Sequence, residues 1–151
     1  MSLVLIIIGI FLILELSNVL IMYLKPGSTK ANAVGVFTAW EKSKQDPEVH
    51  NFVKYLVWWV AGTKLIFISL MVVILFFADP ITQSFAIIAL LLSTATFYVK
   101  LFPLIRSMDR ESQLVTKGYS KMIGVMIFIF ILAFILAYLV SAGYIVDFIV
   151  F

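Results

Sequence analysis

The chain has 151 residues, 64% of them hydrophobic and 13% charged, with a mean hydropathy of +1.15. A soluble domain is nearer half apolar and a quarter charged, so the composition excludes a soluble globular fold and predicts one membrane-embedded domain. With no cysteine and a single histidine, His50, it also excludes disulfides, thiolate metal sites, bis-histidine haem ligation and multi-histidine zinc centres within one chain, and no cofactor is expected.

A helix needs about 20 apolar residues to cross the hydrocarbon core. Four runs reach that length: Leu3–Leu24, interrupted by Glu15; residues 55–78, containing Lys64; and the charge-free segments 81–99 and 122–142. Together they cover 86 of the 151 residues, which leaves no room for a second domain. The first run is not expected to be a secretory signal, because no basic segment precedes it and Glu15 breaks it. The predicted fold is therefore an all-α integral membrane protein of four transmembrane helices in two helical hairpins.

In the first connection, Pro26-Gly27-Ser28 stops span one. Residues 31–44 then place Val34, Phe37 and Trp40 at helical spacing opposite lysines, which predicts an amphipathic helix lying in the interface. Asp46-Pro47-Glu48 reads as an N-cap, a proline at the first helical position and an acidic first turn, so helix two should begin in water and enter the membrane near Tyr55. His50 should then be a solvated loop residue. Asp79-Pro80 reads as a tight turn, and Pro103 with the polar stretch 106–120 as the connection between spans three and four. Span four, with Phe128, Phe130, Ile131, Phe134 and Ile135, is apolar all round and should face lipid or another subunit. Leu16-Ser17 followed by Tyr23-Leu24-Lys25-Pro26, set beside Leu92-Ser93 followed by Tyr98-Val99-Lys100 and Pro103, is a weak internal repeat that generic interfacial anchoring also explains.

Orientation follows from the basic residues. Ten of the eleven, all but Lys64, flank or fill the connections 25–54 and 100–121, whereas the turn at Asp79 and both ends carry none. Cytoplasmic flanks carry the excess of lysine and arginine, which predicts both loops in the cytoplasm, both termini outside, and a plasma (inner) membrane location. Trp40, Trp58 and Trp59 fall toward the same interface. The pI near 9.2 thus reads as topology rather than nucleic-acid binding, with anionic lipid head groups as the expected partners of the basic loops.

Glu15 and Lys64 are the only acid and base inside the predicted spans. Each lies ten residues, about 15 Å, from the basic flank of its own helix, so both fall near the midplane of a core about 30 Å thick. Either charge alone is costly there, and a pair offsets that cost. Asn18, one turn from Glu15, is placed to donate to its carboxylate. Ser93, Thr94 and Thr96 add hydroxyls in the inner half of span three. Glu15, Asn18, Lys64, Ser93 and Thr94 form the candidate ion or substrate pathway, and the expected function is that of a small homo-oligomeric channel or transporter subunit. The competing expectation is a non-catalytic subunit, chaperone or scaffold that docks a partner membrane protein through the same pair. No nucleophile is paired with a base, and the paired aspartates or Ser-His dyad of the intramembrane proteases are missing, so no enzyme is expected.

Overall fold

The computed structural model describes residues 3–144, and among these it is helical with no β-strand. Asp147, which the sequence reading sets with Asp79 on the outer side, lies outside the described residues. In chain order the helices are α1 (Leu3–Leu24), α2 (Thr38–Ser43), α3 (Pro47–Phe77), α4 (Pro80–Ala95), α5 (Leu101–Arg110) and α6 (Tyr119–Ser141), with short 3₁₀ turns at Val34–Val36 and Thr96–Tyr98. Four helical stretches are long and apolar enough to cross a membrane: α1, α3, α6, and α4 continued through the second 3₁₀ turn into α5.

The boundaries have local causes. Helix α1 stops where Lys25 precedes Pro26, since a residue before proline is pushed out of the helical region. At α3 the Asp46 carboxylate accepts from the backbone N–H of Glu48 and Val49, and Pro47 occupies the first turn. Asp79 repeats the device at α4, accepting from the N–H groups of Ile81 and Thr82 and from the Thr82 hydroxyl. Those bonds, the Thr82 amide first, hold the Asp79 carboxyl below its ordinary pKa of 3.8. A carboxyl whose folded pKa is depressed stabilises the fold above its unfolded value and loses that contribution as pH falls through the folded one. Thermal unfolding compared between wild type and Asp79→Asn should therefore show a stability difference that is constant above about pH 5 and shrinks below pH 4. A difference that does not change with pH would remove the charge from the cap's role.

Packing runs helix against helix in opposite directions. Phe11 and Glu15 of α1 meet Phe67 and Lys64 of α3, while Ser84 and Tyr98, on the α4 side, meet Ser141 and Gly124 of α6. Phe11 also meets Phe130 and Phe134 edge-on, with ring centroids 5.4 and 5.3 Å away, and so joins α1 to α6. The resulting core is apolar throughout the spans: Ile8, Val19, Ala61, Ile87, Phe134 and Ala137 are each at most 1% exposed.

This corrects the reading of span four. Helix α6 touches α1, α4 and α5, and one of its faces is core while Phe128, Ile129 and Leu132 remain exposed. A helix apolar all round has no moment to announce its buried face. Shape decides instead, and here the small Ala137 and the ring of Phe134 do so.

The first connection also differs from expectation. No continuous amphipathic helix forms over 31–44. The amides of Val34 and Gly35 turn back to the carbonyls of Pro26 and Ser28 at 2.9 and 3.0 Å, and Phe37 is extended, so only Thr38–Ser43 is α-helical. Ala33, Val36, Trp40 and Ser43 are the buried side chains, with Val34 and Phe37 only partly so. Trp40 lies beneath Gly27 and against the His50 ring, 4.5 Å between centroids, and Ser43 Oγ bonds His50 Nδ1 at 2.8 Å. His50 is thus half-buried on α3 rather than free in a loop.

The two basic connections dock on each other at one end of the bundle. Thr38 donates its amide and hydroxyl to the Gln113 carbonyl at 2.9 and 3.1 Å, Val115 N–H donates to Val36 O at 2.9 Å, and Phe37 and Leu114 form an isolated antiparallel bridge. Val36, Ile105, Leu114 and Tyr119 close a second apolar cluster beneath this clasp. Pro103, expected to mark the loop, lies instead in the first turn of α5, where a missing N–H leaves no helical bond unmade.

Candidate functional site

Helices α1 and α3 bring the two charges of the apolar spans together. Lys64 Nζ donates to Glu15 Oε2 at 2.5 Å, with the side chains 24% and 17% exposed. The bundle holds them in place by packing on either side: Phe11 against Phe67 on one flank, and Gly62 beneath the Tyr23 hydroxyl on the other. Ala61, fully buried next to Gly62, lets the backbones approach at this level.

The pair forms the floor of a groove of about 470 Å³ on the α1–α3 flank, walled by Trp59, Val60, Thr63 and Phe67. The groove opens outward, away from the apolar core. Thr63 donates its hydroxyl to the Trp59 carbonyl of its own helix, so it can only accept from a visitor. Among the described residues, Glu15 Oε1 and the remaining Lys64 ammonium hydrogens have no partner. The site is therefore formally neutral yet has one acceptor oxygen and two donors uncommitted. Because each charge neutralises the other, it can bind a polar or dipolar group without accumulating net charge.

The other predicted site residues are not gathered here. Asn18 is half-buried and makes no bond to Glu15, whose Oε2 alone is engaged, by Lys64. Ser93 is exposed and Thr94 half-buried on α4, and neither lines the groove. The Thr96 hydroxyl donates to the Ser93 carbonyl at 2.6 Å, the local back-bonding that such residues favour near helix ends. No continuous polar pathway thus joins the five residues within one chain. Conversely, Trp59, Thr63 and Phe67 were missed, although their i, i+4, i+8 spacing beside Lys64 marks one stripe of α3.

Among the described residues no three His, Asp or Glu side chains are grouped to hold a metal ion. Comparison with protein-family models, with curated proteins and with solved structures found no match to this chain.

Proposed function

We propose that this chain is a non-catalytic subunit of a membrane assembly, and that its α1–α3 groove receives a transmembrane helix of a neighbouring subunit, a second copy of the chain in the simplest assembly. The observation that carries the reading is the uncommitted hydrogen-bonding capacity of Glu15 and Lys64 at the floor of an outward-facing groove. Exposed apolar side chains are ordinary where lipid is the solvent, but polar groups there are costly and find protein partners. A helix seated in the groove would satisfy them, with the exposed Trp59 as its anchor.

The arrangement in the membrane is two helical hairpins with both basic connections in the cytoplasm and both chain ends outside. The docking of those connections on one another supports placing them on one side, and their basic flanks support that side being cytoplasmic. The partial exposure of both charged side chains favours the second reading, a channel or transporter whose path runs along the seam between copies. The entirely apolar core is why such a path would not run through one chain.

A photoreactive benzoylphenylalanine in place of Thr63, on the groove wall, is expected to give a protein adduct on irradiation in native membranes. An adduct at twice the chain mass identifies a second copy, and another mass a different subunit. Adducts to lipid alone would overturn the docking reading. Flux through the purified protein in liposomes that Glu15→Gln alters would place the seam's charges in transport.

A further inference from the structure

A second cleft, of about 490 Å³, lies between α5 and α6. Its walls grade along their length. On α6, Lys121 at the loop end is followed at i+4 and i+7 by Val125 and Phe128; on α5, Phe102 is followed at i+4 by Arg106. One end therefore carries a guanidinium and an ammonium, and the rest is apolar for about 10 Å along α6. Glycine at 124 lets the Phe102 ring form its wall: a Cβ there would come within 2.6 Å of that ring.

The two cations are free to act. Neither Arg106 nor Lys121 has a hydrogen-bond or ion-pair partner among the described residues, and the neighbouring carboxylates are engaged elsewhere. Asp109 accepts from Gly118 N–H, Ser120 N–H and Ser120 Oγ at 2.9, 3.0 and 2.6 Å, which ties the end of α5 to the start of α6 beside the cleft. Glu111 is held by Ser107 and Gln113. Five cations stand between residues 100 and 121 against these two carboxylates, so the cleft mouth is set in a positive field.

We infer that this cleft binds an anionic phospholipid, its phosphodiester between Arg106 and Lys121 and one acyl chain along Phe102, Val125 and Phe128. Arginine supplies a planar fork matched to two phosphate oxygens, and lysine a point charge that completes the clamp. The apolar extension selects a lipid over a soluble phosphate. The inference rests on the membrane reading and is independent of what occupies the α1–α3 groove.

Native mass spectrometry of the purified protein from detergent tests it. Phosphatidylglycerol should be retained over phosphatidylcholine, and the double variant Arg106→Gln/Lys121→Gln should lose that preference by on the order of 30-fold, about fivefold for each surface cation. Arg106→Lys/Lys121→Arg, which keeps both charges, should restore most of it. Arg110→Gln/Lys117→Gln, in the same loop but off the cleft, should leave it intact. Equal losses in the two Gln double variants would reduce the effect to diffuse surface charge and overturn the site. Inorganic phosphate displacing the lipid at comparable concentration would also overturn it, since the acyl groove would then contribute nothing.

Discussion

Glu15→Gln is expected to destabilise the folded protein by about 2.5–3 kcal/mol, because it leaves the Lys64 ammonium unpaired within a helix apolar enough to cross a membrane. The lower part of the range for a lone intramembrane charge applies, since the pair keeps 24% and 17% side-chain exposure and the orphaned group can still reach the groove surface. Lys64→Met should cost a similar amount for the mirror-image reason. The double variant should cost much less than the sum, with a coupling of about 2 kcal/mol, because neither charge then remains to be desolvated. Exchange of the two, Glu15→Lys/Lys64→Glu, should recover most of the stability if the pair serves helix docking. Denaturant titration in mixed micelles measures all four. Additive single losses would show that the direct contact contributes nothing to folding.

The second large effect is expected at Gly35. A Cβ there would lie 2.0 Å from the Gly27 carbonyl oxygen and 2.7 Å from that of Ser28, both backbone atoms that cannot rotate away. Overpacking of this kind costs about 1–3 kcal/mol, and immovable neighbours put Gly35→Ala at the upper end. The strain would be relieved by opening the 26–44 connection, so amide exchange at Thr38 and Val115 should accelerate before the helices lose protection. Gly62→Ala is the contrast. Its Cβ would meet only the Tyr23 hydroxyl at 3.3 Å, the end of a flexible side chain, and little change is expected. Equal unfolding temperatures for Gly35→Ala and wild type would remove the close approach from the loop's stability.

What the sequence made legible was whatever one residue type determines by itself. Asp46 and Pro47 start α3 where capping chemistry requires, and the charge-free runs 81–99 and 122–142 fall mostly on α4 with its 3₁₀ turn and on α6, ending one residue beyond each. The Glu15–Lys64 contact was readable from depth and charge alone, because the bilayer makes solitary charges costly and so narrows the choice of partners. Features set by the packing of two distant segments, with no such charge to pair them, were not readable. Val36 is buried because Leu114 and Tyr119 arrive above it, which no periodicity within 31–44 encodes. Asn18 suited Glu15 by its spacing along one helix, yet it makes no bond to it even though Glu15 Oε1 is uncommitted. Ser93 and Thr94 illustrate the same limit: their chemistry was evident, but the side of the bundle they occupy depends on how α4 is rotated.

The clasp between the two connections also bears on the order of synthesis. Thr38 and Gln113 are 75 residues apart, so the ribosome has produced α1 to α5 before the acceptor carbonyl exists. Until then the Thr38 amide and Val36 carbonyl must be served by water, and Val36 has no cover. The first helical pair can enter the bilayer and join its charges during that interval, since Glu15 and Lys64 are both already made. In the proposed arrangement of two hairpins, the clasp could close only once the second pair had reached the same side, which would make it a late check on topology rather than a guide to it.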